Sequence, residues 1–150
     1  MIVTFCGHAS FSRSSEYEQK LMELLTKVVG DAYADMYLGG YGEFDSFAYH
    51  VCKKYKESHP NVCLILVTPY PAVKNENNNS KLLQFSYDGT IYPELENKPR
   101  KFAIYYRNRW MVDKADFMIA YVRHDWGGAY AMLKYAKHKK KIIYNLAELC

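Results

Sequence analysis

The feature that most constrains this chain is the almost wholly apolar run Val62-Cys63-Leu64-Ile65-Leu66-Val67, closed by Thr68-Pro69-Tyr70-Pro71. Proline removes a backbone donor and fixes φ, so the two prolines prevent continuation of the run. A strand that is apolar on every residue belongs in a parallel sheet covered on both faces, because an antiparallel sheet with one wet face alternates instead. The chain must therefore supply further strands beside this one and helices above and below it.

It supplies both in alternation. Ile2-Val3-Thr4-Phe5-Cys6 reads as a buried strand that ends at Gly7-His8-Ala9-Ser10, and Ser14-Ser15 then cap a helix with Tyr17, Leu21, Leu24, Leu25 and Val28 on one face, ended by Gly30. A strand over Asp35–Leu38 leads through Gly39-Gly40-Tyr41-Gly42-Glu43-Phe44-Asp45 into a helical face of Phe47, Ala48, Val51, Cys52 and Tyr55. After the apolar third strand the pattern weakens over 72–100, a stretch long enough to be a lid or a surface insertion. Helical character returns over Lys101–Lys114. A strand follows over Asp116–Val122, then a helix opened by Trp126-Gly127-Gly128, and Lys141–Asn145 closes the order. The expected architecture is α/β: one Rossmann-like, doubly wound domain over 1–150, with a mainly parallel five-stranded sheet and helices on both faces.

Composition agrees with a soluble globular protein, at 49% hydrophobic and 24% charged residues. The formal net charge of +4 comes largely from Lys134, Lys137, Lys139, Lys140 and Lys141, where cations complement a helix C-terminus. Charge placed there argues against a nucleic-acid partner. Cys6, Cys52, Cys63 and Cys150 form no CxxC pair and mostly sit in apolar runs, which points to a reducing, cytoplasmic compartment. No signal peptide or long apolar segment is read, so no membrane association is expected. The histidines lack metal-ligand spacing, and neither a metal nor a cofactor is expected.

In a doubly wound sheet the ligand crevice lies beyond the carboxyl ends of the strands, so the loops there hold the candidates. Gly39, Gly40 and Gly42, around Tyr41, let backbone amides approach an anion, which resembles a phosphate cradle; a tight strand-to-helix turn is the competing account. Glu43 and Asp45 follow at the helix start. They either cap amides there or contact a ribose, and as carboxylates they are the candidate catalytic pair. Gly7, His8 and Ser10 end the first strand, and Thr68 and Tyr70 end the third. Arg107 and Met111 share one face of a helix, while Arg109 points elsewhere; guanidinium groups suit phosphates, and a solvated salt bridge is the alternative. Gly127 and Gly128 offer a second close backbone approach or merely a turn.

The order of these blocks resembles the SLOG superfamily, which includes the lonely-guy cytokinin phosphoribohydrolases and the DNA-processing Smf/DprA domain, and is nearest to its short single-domain bacterial members. The resemblance rests on Phe5-Cys6-Gly7-His8, Gly39 through Asp45, Arg107 through Asp113 with Ile119-Ala120-Tyr121, Gly127-Gly128 and Lys134-Tyr135-Ala136-Lys137, and covers nearly the whole chain. It implies a Rossmannoid fold whose glycine loop holds the phosphate of a nucleotide-type ligand, and a homo-oligomer. In the phosphoribohydrolases the loop reads Gly-Gly-x-Gly-Thr with a following catalytic glutamate. Here Glu43 replaces the threonine and Asp45 lies near the glutamate position. Ala9 stands where short members carry arginine after Gly-His, leaving Arg13 as the nearest substitute.

The function expected is binding, by sensing or sequestering, of a nucleotide or nucleotide derivative such as an NAD-derived or cyclic nucleotide. The alternative is an enzyme that hydrolyses an N-glycosidic bond, with Glu43 or Asp45 assisting departure of the base.

Overall fold

A computed structural model describes residues 1–71 and 85–149. Strands β1 (Ile2–Gly7), β2 (Ala34–Leu38), β3 (Val62–Val67), β4 (Gly89–Ile91), β5 (Phe117–Tyr121) and β6 (Ile142–Asn145) alternate with helices α1 (Ser15–Val28), α2 (Gly42–Ser58), α3 (Ala103–Lys114) and α4 (Gly127–His138). The strands form one six-stranded sheet in the order β4-β3-β2-β1-β5-β6, and every pairing in it is parallel.

The side chains explain the two covered faces. Val3 and Phe5 of β1 pack with α1 and α2 around Leu21, Leu25, Phe44 and Phe47, while Cys6 packs with α3 and α4 around Met111, Val112, Met132 and Ala136. Successive strand residues point to opposite faces, so both kinds must be apolar where helices cover both. Ser14 caps α1 as expected, its hydroxyl accepting the Tyr17 N–H at 3.2 Å.

The sheet has six strands where five were expected. The added strand is β4, which paired as Ile65↔Gly89, Leu66↔Thr90 and Val67↔Ile91 extends the sheet beyond β3. It is three residues long and begins at a glycine after Asp88, a pattern that reads as a turn. Asp88 holds it in register: its N–H donates to the Leu64 carbonyl and its carboxylate accepts the Leu64 N–H, both at 2.8 Å. The expected loop over 72–100 is thus shortened from its C-terminal side, while residues 72–84 lie outside the described residues. A short 3₁₀ turn over Arg100–Phe102 leads into α3.

Cys6 and Cys52 are buried and Cys63 is exposed, all as free thiols. Among the described residues no helix is long and apolar enough to cross a membrane.

The strand order reverses at β1. Connections from β1 run outward through β2, β3 and β4, then the chain returns to place β5 on the other side of β1. The loops leaving β1 and β5 therefore part company between neighbouring strands, which is where a doubly wound sheet opens a crevice.

Candidate functional site

A cleft of about 380 Å³ opens at that point, within the range of small-molecule sites. Its walls are the loop after β1 (His8, Ala9, Ser10), the loop after β2 (Gly39, Tyr41), α3 (Ile104, Arg107, Asn108, Met111) and the start of α4 (Gly127, Gly128, Ala129).

The β1 and β5 loops meet through stacked rings. His8 lies face to face with His124 at 3.7 Å between centroids, and His124 with Trp126 at 3.9 Å. Hydrogen bonds fix both imidazoles: His8 Nε2 accepts the Arg123 N–H at 2.9 Å, and His124 Nδ1 lies 3.0 Å from the Trp126 carbonyl, so it must carry a proton to donate. Burial, and secondly the His124 ring, lower the His8 pKa, which keeps this imidazole neutral and able to accept. Trp126 ends the stack with 67% of its surface exposed.

Trp126 is also the N-cap of α4, and no side chain caps that helix. The N–H groups of its first turn, at Gly127, Gly128 and Ala129, are those a helix leaves without intrahelical acceptors, and they carry the positive end of its dipole. No acidic residue occupies that turn. A Cβ added at Gly128 would meet nothing within 4 Å, so the backbone there is open to approach.

The glycine loop after β2 is built differently. The Tyr41 N–H donates to Asp45 Oδ2 and the Glu43 N–H to the Ala9 carbonyl, each at 2.9 Å, so two of its amides already have acceptors. Gly42 has φ +87°, and a Cβ on it would stand 2.7 Å from Ala9 Cα; this glycine lets the start of α2 touch the β1 loop. Glu43 and Asp45 both lie in the first turn of α2, where they oppose an anion. Gly7 answers another close contact, since a Cβ there would overlap the Phe44 ring.

Arg107 lies beneath the cleft, 2% exposed. Its Nη1 donates to the carbonyls of Gly39 at 3.0 Å and Val67 at 2.7 Å, and its Nε to Asn108 Oδ1 at 2.9 Å. Nη2 is the nitrogen these bonds leave over. It lies, with Asp45 Oδ2, 3.2 Å from where a Gly39 Cβ would be, so a side chain at position 39 would crowd both groups. Burial pushes the Asp45 carboxyl up to about 6, against the Tyr41 N–H and the Arg107 charge, which both lower it. Cys6 also lines the cleft, but burial raises its thiol far from the thiolate form and Sγ donates to the Ala129 carbonyl at 3.1 Å.

Of the residues singled out in the sequence, Gly7, His8, Ser10, Gly39, Tyr41, Asp45, Arg107, Met111, Gly127 and Gly128 line the cleft. Gly40, Gly42, Glu43, Thr68, Tyr70 and Arg109 are not in its wall. Thr68 turns to the sheet edge, its N–H donating to the Ile91 carbonyl at 2.9 Å, and the Tyr70 ring lies 5.3 Å from the Arg100 guanidinium. Sequence reasoning passed over His124, Trp126 and Asn108. The signal for the first two was available: residues directly after adjacent parallel strands meet in space, and His8 and His124 follow β1 and β5. Among the described residues no cluster of three or more His, Cys, Asp or Glu is arranged to hold a metal.

No family model and no curated protein matches the sequence. Solved structures do match the fold. DNA processing protein A from Helicobacter pylori, described for its single-stranded-DNA binding mode, superposes with a TM-score of 0.64 at 18% identity over 95% of this chain. The same protein from Streptococcus pneumoniae gives 0.65 at 12% identity, also over 95%. The chain shares the Rossmann-like α/β fold of these DNA processing proteins. It spans 63% and 49% of those two chains. A third structure, TM1055, matches with a TM-score of 0.54 at 11% identity, covering 95% of this chain and 71% of that one.

The Helicobacter pylori match corrects the expectation against a nucleic-acid partner. That expectation rested on charge that is not concentrated into a stripe. Single strands are also held by rings that stack on bases, which formal charge does not report.

Proposed function

We propose that the cleft binds a nucleotide unit, with phosphate on the N–H groups of Gly127, Gly128 and Ala129 and base on the exposed ring of Trp126. The observation that carries this reading is the joining of two binding elements at Trp126: one residue both ends a stack of three rings and opens an uncapped helix without acidic neighbours in its first turn. An anion at a helix N-terminus and a base on an aromatic face are the two contacts a nucleotide needs. Between the two glycine segments charge favours α4, because α2 carries Glu43 and Asp45 in its first turn. The protein then acts as a binding module, sensing or sequestering its ligand, and the unit is either a free nucleotide or part of a single strand of the kind its Helicobacter pylori structural neighbour binds.

A second reading, hydrolysis of an N-glycosidic bond, is favoured by Asp45 alone. It is a carboxyl in the cleft wall held near pH 6, a poise suited to passing a proton to a departing base.

Titration calorimetry with AMP, NAD, a cyclic dinucleotide and a short deoxyoligonucleotide tests the main reading, with liberated base followed by chromatography. Trp126→Ala should weaken binding about tenfold, since one base–aromatic stack contributes roughly 1–3 kcal/mol, and should leave the melting temperature unchanged. Equal affinity in Trp126→Ala and wild type, or no binding across the panel, refutes the reading. Base release that Asp45→Asn abolishes would favour the enzyme.

A further inference from the structure

A second cavity, of about 250 Å³, adjoins the cleft and shares Asn108 and Gly128 with it. Among the described residues two cations, Lys101 and Arg109, line this cavity and no carboxylate does. Arg109 is packed against two rings: its guanidinium carbon lies 4.5 Å from the ring centroids of both Tyr105 and Tyr135. Rings that clamp a guanidinium from two sides orient it without neutralising it.

Nothing among the described residues neutralises it either. Among the described residues no carboxylate lies within ion-pair distance of Arg109, and its Nε is buried with no hydrogen-bond partner. Asp113, one turn along α3, is engaged elsewhere, accepting the Tyr135 hydroxyl at 2.7 Å and lying 3.9 Å from Lys139 Nζ. A cation fixed by packing and lacking its counter-charge is an arrangement completed by an anion from outside.

We propose that this cavity is a second anion subsite, in which Arg109 and Lys101 hold a second phosphate of the ligand whose first phosphate sits at the start of α4. The inference rests on the nucleotide reading of the cleft. Gly128 is the threshold between the two cavities, and the open space at its Cα gives the connecting atoms a passage. The shared chemistry is a nucleotide with two phosphates, supplied either by a diphosphate on one nucleoside or by successive phosphates of a short strand.

Calorimetry with AMP, ADP and 5′-phosphorylated diadenylate separates these cases on the wild-type protein. The structure leads to about tenfold tighter binding of a two-phosphate ligand than of AMP, the factor one hydrogen bond to a charged group contributes. A gain with ADP identifies the diphosphate, and a gain with the diadenylate alone identifies the strand. Arg109→Met keeps an unbranched chain between the two tyrosines; it should reduce the two-phosphate ligand to the AMP level and leave AMP affinity unchanged, while Arg109→Lys should keep part of the gain. Equal wild-type affinity for all three ligands overturns the subsite and leaves the cleft reading standing. Failure of all three to bind overturns both. The wild-type comparison decides even if Arg109→Met does not fold.

Discussion

Replacing Asp45 by asparagine should stabilise the protein at neutral pH. The carboxyl is raised from 3.8 to about 6, first by burial. A raised carboxyl binds its proton more tightly in the folded than in the unfolded chain, so folding is favoured most by this group below about pH 4. That contribution is lost as the pH rises towards 6 and stays lost above it. About two units at 1.36 kcal/mol each put the penalty at pH 7.5 near 3 kcal/mol as an upper limit. Two effects reduce what asparagine recovers: partial exposure screens the charge, and buried Arg107 loses a nearby negative partner. Asparagine Oδ1 can still accept the Tyr41 N–H that Asp45 accepts. The expected gain is about 1–2 kcal/mol, or roughly 2–8 °C in melting temperature for a chain of this size. Urea unfolding of both proteins from pH 4 to 8 isolates the group, because Asp88, whose pKa is lowered, contributes equally to both curves. The stability difference should be near zero at pH 4 and grow through pH 6. A variant less stable than wild type at pH 7.5, with a difference that does not change with pH, would show that Asp45 is a structural anchor and not a strained group of the site.

Two further perturbations address the glycine segments and the buried guanidinium. Gly42→Ala, at φ +87° and against Ala9, should cost about 1–3 kcal/mol in urea unfolding. Gly128→Ala, in the open first turn of α4, should leave stability unchanged or raised by less than about 1 kcal/mol while weakening AMP binding; a destabilised Gly128→Ala that binds normally would reverse the roles assigned to the two segments. Arg107→Met leaves the Gly39 and Val67 carbonyls without their buried donor and should destabilise by about 2–5 kcal/mol. The Asp45 carboxyl, followed by NMR, should then titrate above its wild-type value; a midpoint that does not move would remove Arg107 from its electrostatic environment.

The alternation of apolar runs and helical faces was enough to place five of the six strands, the covered faces and the edge of the sheet where the cleft lies. β4 escaped because its pairing depends on Asp88, whose side chain reaches Leu64 across the chain, and no local pattern encodes that. The site was legible by residue type more than by role. Glycines at positions 39–42 and 127–128 look alike in sequence, yet Asp45 takes the Tyr41 amide and Ala9 packs against Gly42 in the first set, while nothing lies within 4 Å of a Cβ placed on Gly128. Arg107 and Arg109 are two residues apart on one helix, and the turn of that helix sends one under the sheet edge and the other between two tyrosines.

The guanidinium under the strand ends has a consequence for how the cleft responds to acidity. Arginine keeps its proton wherever the protein is folded, whereas the carboxyl beside it changes state near pH 6. The pair therefore passes from close to neutral to a single positive charge as the medium acidifies, and the hollow above it becomes more hospitable to negative ligands. Affinity for the proposed anionic ligand should therefore rise as the pH falls through 6.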